Sequence, residues 1–233
     1  VESPGTIVAT VVGDVVAPDV GEIEMGASLI DVIDAVGSGL ADGRTIKAVF
    51  SGVANAVVTE ADLGVPVSYE GFQAIGSGMG SAGFIVYDDT TCMVDAAYRF
   101  SRFLSIESCG QCPPCKLGSS AITEHLERIE VGAGDDADLD AIAGWLGHVT
   151  DGSRCFLATE EQVVVASILR AFPEEFAEHI ELGRCPRPRR RRRCWAMRCA
   201  PAACPFTWRP PPTPAWATPL PPPSRPQKTQ PVG

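Results

Sequence analysis

The chain has 233 residues, 45% of them hydrophobic, and a formal net charge of −10, so it can bury a core. Its charge is uneven, because all 29 Asp and Glu residues precede residue 184 whereas 11 of the 19 Lys and Arg residues follow residue 183. An acidic body repels phosphate, which argues against nucleic acid as the main partner. No run of eighteen apolar residues and no signal peptide is present, so we expect no membrane span and a cytoplasmic, reducing location.

Residues 1–88 have the pattern of short strands around one helix. Runs of β-branched and apolar residues predict strands at Thr6–Val12, Val20–Glu24, Thr45–Phe50 and Phe84–Tyr87. Ser28 is a candidate helix cap, and apolar residues at helical spacing follow it as far as Val36. This order predicts a small β-grasp-like domain of the α+β class.

From Asp89 onward the apolar residues recur with helical spacing. Asp89, Thr90 or Thr91 is a candidate cap for a helix whose predicted buried stripe is Met93, Ala96, Ala97, Phe100, Phe103 and Leu104. Similar stripes predict helices within residues 117–129, 139–149 and 163–169, and Pro173 is a candidate start for another. We therefore expect a helical domain over residues 89–183.

Residues 184–233 differ abruptly from the rest of the chain. They contain 14 of the 20 prolines, no acidic residue and no apolar periodicity, so they should not bury enough surface to fold. We predict a disordered Pro/Arg-rich tail, which is either a frameshifted end of the gene or a genuine disordered linker. Its cysteines have irregular spacing and are interpreted as incidental to composition; they are Cys185, Cys194, Cys199 and Cys204.

Four cysteines form the candidate functional site. Cys109, Cys112 and Cys115 follow one another at intervals of three, and Cys155 lies forty residues later. Four thiolates in this three-plus-one pattern can hold a [4Fe–4S] cluster. The alternatives are a zinc site, which more often shows two separated C-x₂-C pairs, and cysteines that bind nothing.

The residues around these cysteines suit a cluster loop. Gly110 allows a tight turn, and Pro113 and Pro114 can lead into a helix whose positive end favours negative charge nearby. Lys116 adds a cation, and the turn sequence Asp151-Gly152-Ser153 can bring Cys155 back to the loop.

Other motifs have simpler explanations. Gly78–Gly83 matches G-x-G-x-x-G, but it precedes a strand instead of following one, so we interpret it as a tight glycine turn and not as a dinucleotide site. Cys92 is interpreted as a small buried residue. His125, His148 and His179 stand at unrelated spacings and are interpreted as ordinary histidines.

The cysteine loop also carries a family resemblance. Glu107-Ser108-Cys109-Gly110-Gln111-Cys112, followed by Pro114-Cys115-Lys116 and Gly118, resembles the cluster loop of the NADH-binding flavoprotein subunit of respiratory complex I. That family includes the matching subunits of NAD-linked hydrogenases and formate dehydrogenases. Segments 12–15, 49–52, 76–86 and 88–90 resemble the preceding parts of the same family, including its β-grasp domain, so the match covers about residues 6–183.

The resemblance implies a function in electron transfer. It implies a [4Fe–4S] cluster on Cys109, Cys112, Cys115 and Cys155, which passes electrons from NADH and FMN toward quinone within a complex of several subunits. It also implies a location on the cytoplasmic face of the inner membrane. The family's FMN- and NADH-binding domain precedes its β-grasp unit, and its glycine-rich segments are missing here. We therefore expect that this chain alone does not oxidise NADH. The alternative is a zinc-stabilised or vestigial interaction module without redox activity.

Overall fold

A computed structural model describes residues 3–187, which fold into a mixed α+β structure. Its strands are β1 (Thr6–Gly13), β2 (Asp19–Glu24), β3 (Ile46–Ser51), β4 (Val58–Thr59) and β5 (Gly83–Asp88). Its helices are α1 (Leu29–Gly37), α2 (Tyr69–Ala74), α3 (Met93–Glu107), α4 (Pro113–Glu130), α5 (Asp136–Leu146), α6 (Leu157–Ala171) and α7 (Pro173–Leu182). Within this described part, no helix has the length and apolar character that crossing a bilayer requires. The predicted disordered tail lies outside the described residues, apart from its first four positions.

The five strands form one mixed sheet in the order β2-β1-β5-β3-β4. β1 pairs with β2 antiparallel and with β5 parallel, while β5 and β4 both pair antiparallel with β3. α1 packs on β1 and β2, and its N-terminus is capped by Ser28, whose Oγ accepts a hydrogen bond from the backbone N–H of Asp31. This arrangement confirms the predicted β-grasp-like α+β unit.

The central strands β3 and β5 are buried on both faces. Val49 and Val86 point into the core that the sheet shares with α1 and α2. Residues of opposite parity, Phe50 and Tyr87, point into the core shared with the helical bundle, since neighbouring side chains of a strand face opposite sides. The Phe50 ring lies 4.7 Å from the Phe100 ring of α3, so the bundle packs directly on the sheet.

The helices follow the predicted order with different starting points. The cap of α3 is Cys92, whose Sγ accepts from the backbone N–H of Asp95, and not Asp89, Thr90 or Thr91. The latter three belong to a turn that joins β5 to the helix. α4 begins at Pro113, so Cys115 already lies in its first turn.

One predicted core residue is exposed. Phe103 is 48% exposed on α3, so its inclusion in the buried stripe was wrong. The apolar pattern gives the angular position of a residue on its helix, but it does not say how wide a sector the neighbouring helices cover.

The described residues all lie within one compact unit. The boundary between a β-grasp domain at residues 1–88 and a helical domain at residues 89–183 stays a prediction about independent folding. The glycine run at Gly78–Gly83 forms a turn before β5, as interpreted from the sequence, with Gly80 in the left-handed region. A Cβ on Gly78 would meet Asn55 Oδ1 at 2.2 Å, so the turn packs tightly against that side chain.

Candidate functional site

The three clustered cysteines lie on the connection between α3 and α4. Gly110 has a φ of +77°, a left-handed conformation that favours glycine and turns the chain between the two helices. Along this loop the side chains become progressively less accessible: Cys109 is exposed, Cys112 is partly buried and Cys115 is buried. The loop therefore presents thiols from the surface inward.

Cys155 approaches the same place from the connection between α5 and α6. It follows a turn in which Gly152 has a φ of +59°, and its side chain is exposed. All four predicted cysteines line one pocket with an empty volume of about 380 Å³ that opens to solvent. Leu157 and Ala158, at the start of α6, contribute apolar wall to the pocket.

The electrostatics around the pocket favour bound thiolates. Cys112 is the N-cap of α4 and Cys115 lies in its first turn, so the positive end of the helix faces the thiols. The Ser108 hydroxyl lies 3.5 Å from Cys115 Sγ, within hydrogen-bonding distance of sulfur. Arg154 also lines the pocket. Lys116 was expected as the nearby cation, but its ammonium instead donates to the Ser105 carbonyl at 2.6 Å and ties α4 to α3.

The donor set fits the cluster that the sequence motif suggests. Four thiols from two loops meet at one pocket, which is the ligand number and type that a [4Fe–4S] cluster requires. The apolar wall suits a group whose potential depends on limited access of water. That these four residues are the ligands stays a prediction, because four thiols also suit zinc.

Comparison with known proteins identifies the family. Residues 95–179 match the family described as the NADH-ubiquinone oxidoreductase-F iron–sulfur binding region. Over 185 residues, or 79% of this chain, the sequence is 37% identical to the F 2 subunit of the NADH-quinone oxidoreductase of Rhizobium meliloti. Residues 95–179 belong to this iron–sulfur binding family. Its members carry the [4Fe–4S] binding region, which agrees with the predicted resemblance.

Two more relatives extend the comparison. The NADP-reducing hydrogenase subunit HndC of Solidesulfovibrio fructosivorans is 36% identical over 79% of this chain. A crystal structure of an NAD⁺-reducing [NiFe]-hydrogenase in the air-oxidized state superposes with a TM-score of 0.67 at 26% identity, covering 76% of this chain and 30% of that one. The chain spans less than half the length of the curated relatives from Rhizobium meliloti and Solidesulfovibrio fructosivorans, 44% and 38% respectively.

A second group of side chains that could hold a metal ion was missed in the sequence. The ligand atoms of Cys92, His179 and Cys185 all lie within 4.8 Å of one another. Cys92 is buried, as interpreted from the sequence, but His179 and Cys185 are 87 and 93 residues away from it along the chain. The available signal was the short spacing between His179 in α7 and Cys185 just after that helix, which gives no indication of Cys92.

A buried carboxyl group was also missed. Glu161 on α6 is 0% exposed, and its Oε1 accepts a hydrogen bond from Ser101 Oγ at 2.6 Å. Burial raises the pKa of Glu161 to about 7, although the Ser101 bond acts in the opposite direction. Glu161 lies one helical turn beyond Leu157 and Ala158, so a group that titrates near neutrality sits behind the pocket wall.

Proposed function

We propose that the chain relays electrons through a [4Fe–4S] cluster held by Cys109, Cys112, Cys115 and Cys155. The observation that carries the proposal is that all four thiols line the same pocket although forty residues separate the third from the fourth. Membership of a family with an iron–sulfur binding region supports the same cofactor. When bound, such a cluster accepts and releases one electron at a time.

The residues of this chain would hold, position and shield the cofactor. Cys109, Cys112 and Cys115 are fixed by the α3–α4 connection and the first turn of α4, which limits the rearrangement that binding requires. The positive end of α4 and the Ser108 hydroxyl stabilise thiolate charge. Leu157 and Ala158 exclude water from one side, while the exposure of Cys109 and Cys155 leaves the other side accessible to a partner.

The relatives support a wider role for this chain. We propose that the chain acts as part of a complex with several subunits that oxidises NADH, located on the cytoplasmic face of the inner membrane without spanning it. NADH and FMN would be bound by parts of the longer relatives that this chain does not span, and quinone would be reached only through other subunits. The chain alone would then move electrons without oxidising NADH.

Metal and acid-labile sulfide analysis of anaerobically reconstituted protein tests the proposal. We expect about four irons and four sulfides per chain, and an EPR signal after dithionite reduction. Cys155→Ser should lose this stoichiometry, whereas Cys194→Ser is the matched control, because it makes the same chemical change at a cysteine that the proposed cluster does not use and should keep the cluster.

Two results would favour the alternative of an interaction module without redox activity. Zinc without sulfide, lost in Cys155→Ser, would mean that the four thiols hold a structural metal. A pocket that takes up neither iron nor zinc would mean that the motif is vestigial.

A further inference from the structure

Cys92, His179 and Cys185 form a compact group remote in sequence from the four-cysteine pocket, which we call the Cys92 group. Cys92 Sγ lies 3.3 Å from His179 Nε2, and all three ligand atoms fall within 4.8 Å of one another. Cys92 is 8% exposed, His179 is fully buried and Cys185 is partly buried. The group joins the start of α3, the end of α7 and the segment just beyond α7.

The surrounding hydrogen bonds orient these side chains toward one point. His179 Nδ1 lies 2.6 Å from the backbone carbonyl oxygen of Glu175. A carbonyl oxygen can accept a hydrogen bond but cannot donate one, so Nδ1 carries the hydrogen of the neutral ring. Nε2 is then left with its lone pair directed at the Cys92 sulfur. A carbonyl behind the non-ligating nitrogen is the usual support of a metal-binding histidine. The backbone N–H of Asp95 donates to Cys92 Sγ and supports sulfur as a ligand in the same way.

The distances are close to those of a tetrahedral metal site. Zn–S bonds of about 2.3 Å and Zn–N bonds of about 2.0 Å place ligand atoms roughly 3.5–3.8 Å apart. The 3.3 Å between Cys92 Sγ and His179 Nε2 is near that value. All three ligand atoms lie within 4.8 Å of one another, so small side-chain movements would bring them to the distances of a zinc site.

The charged groups beside the Cys92 group are already paired with one another. The Glu175 carboxylate is already matched by its ion pairs with Lys47 and Arg187 and by the Met93 backbone N–H. A divalent ion would balance two thiolates, and binding would release their protons.

We propose that the Cys92 group is a structural zinc site with two thiolate ligands and one imidazole ligand. Thiolate and imidazole together select zinc among the common divalent cations, whereas calcium and magnesium require oxygen ligands. With three ligands from the described residues, the fourth coordination position is open to water or to another donor. The zinc would fasten the segment after α7 to the start of α3, and through α3 to the bundle that carries the four-cysteine pocket.

Zinc analysis of the full-length chain tests the proposal. The protein is first reconstituted with iron and sulfide, so that the four-cysteine pocket is filled, and is then saturated with zinc and dialysed. The bound zinc is counted in the unaltered chain, Cys185→Ser, His179→Gln and Cys155→Ser. We expect about one zinc per chain in the unaltered protein and in Cys155→Ser. Zinc affinity should fall by at least about tenfold in Cys185→Ser and His179→Gln. Removing a hydrogen-bond partner of a metal ligand already lowers metal affinity by about 10–100-fold, and removing the ligand itself should cost no less.

Cobalt replacement identifies the ligands independently of stability. Cobalt(II) in the unaltered chain should give thiolate-to-metal charge-transfer absorption, and this should weaken in Cys185→Ser while circular dichroism stays unchanged. Cys155→Ser separates the two sites, since it should lose the iron of the four-cysteine pocket and keep the zinc.

Three results would overturn the proposal. The first is a zinc-saturated chain that retains no zinc after dialysis. The second is zinc that survives Cys185→Ser and His179→Gln but is lost in Cys155→Ser, which would put the metal in the four-cysteine pocket. The third is a Cys92–Cys185 disulfide found by mass spectrometry in freshly isolated protein, which would make the two sulfurs a covalent pair.

Discussion

Replacing Glu161 by glutamine should change how the stability of the protein depends on pH. The pKa of Glu161 is raised by burial from 4.5 to about 7 in the folded chain, and its Oε2 has no hydrogen-bond partner among the described residues. Between these two pH values the folded chain keeps a proton that the unfolded chain has released. Raising the pH through this window therefore favours the unfolded state.

The size of the effect follows from the two pKa values. Between these two values, each pH unit lowers the free energy of unfolding by about 1.4 kcal/mol. The effect levels off below pH 4.5 and above pH 7. From pH 5 to pH 8 the carboxyl group of Glu161 should therefore reduce the free energy of unfolding by roughly 2–3 kcal/mol. A glutamine side chain cannot ionise, so the Glu161→Gln variant should lack this decline.

Urea unfolding followed by circular dichroism at pH 5, 6, 7 and 8 measures the decline. The quantity to compare is the free energy of unfolding of the unaltered chain minus that of Glu161→Gln, which should fall by roughly 2–3 kcal/mol across the range. Glu124→Gln on α4 is the control, because it makes the same chemical change at an exposed position. A Glu161 difference that is constant, or that rises with pH, would refute the assignment of a raised pKa to this carboxyl group.

Two further predictions concern packing. Phe50→Ala should reduce the free energy of unfolding by about 3–5 kcal/mol in urea titrations, because it opens a cavity between sheet and bundle, while Phe103→Ala, 48% exposed, should cost less than about 1 kcal/mol. Equal losses would contradict the packing of Phe50 on α3. Gly132→Ala should destabilise by at least about 2 kcal/mol more than Gly43→Ala in thermal unfolding. Both glycines have a positive φ, but only at Gly132 would a Cβ meet a backbone oxygen, that of Gly183, at 2.0 Å; similar losses would rule out this close approach.

Most of the fold was predictable because its signals are local. The strands β1, β3 and β5 are runs of β-branched and apolar residues, and α1 has both its serine cap and its apolar stripe within ten residues. The elements that were missed are too short to show a period. β4 has two residues, and α2 has six, including Gly71, whose backbone N–H is needed by the Ser68 cap.

The candidate sites also differ in whether their residues are close together in the sequence. Cys109, Cys112 and Cys115 were evident because consecutive spacing brings ligands together without any knowledge of the fold. The Cys92 group was not, because its members come together only when α7 packs beside the start of α3. Glu161 follows another glutamate in the first turns of a helix, where acidic residues are common, so only the packing of α3 against α6 reveals its burial.

The position of β5 in the sheet determines when the protein can begin to fold during synthesis. β5 is the last strand among the described residues, but it lies between β1 and β3, and its parallel pairing with β1 joins segments more than seventy residues apart. Until β5 has left the ribosome, β1 and β3 expose open edges that other chains can pair with. At the usual synthesis rate, the 75 residues from the end of β1 to the end of β5 take roughly 4–15 s. The α3–α4 loop follows β5, so the thiols at residues 109–115 emerge only after the sheet is able to close.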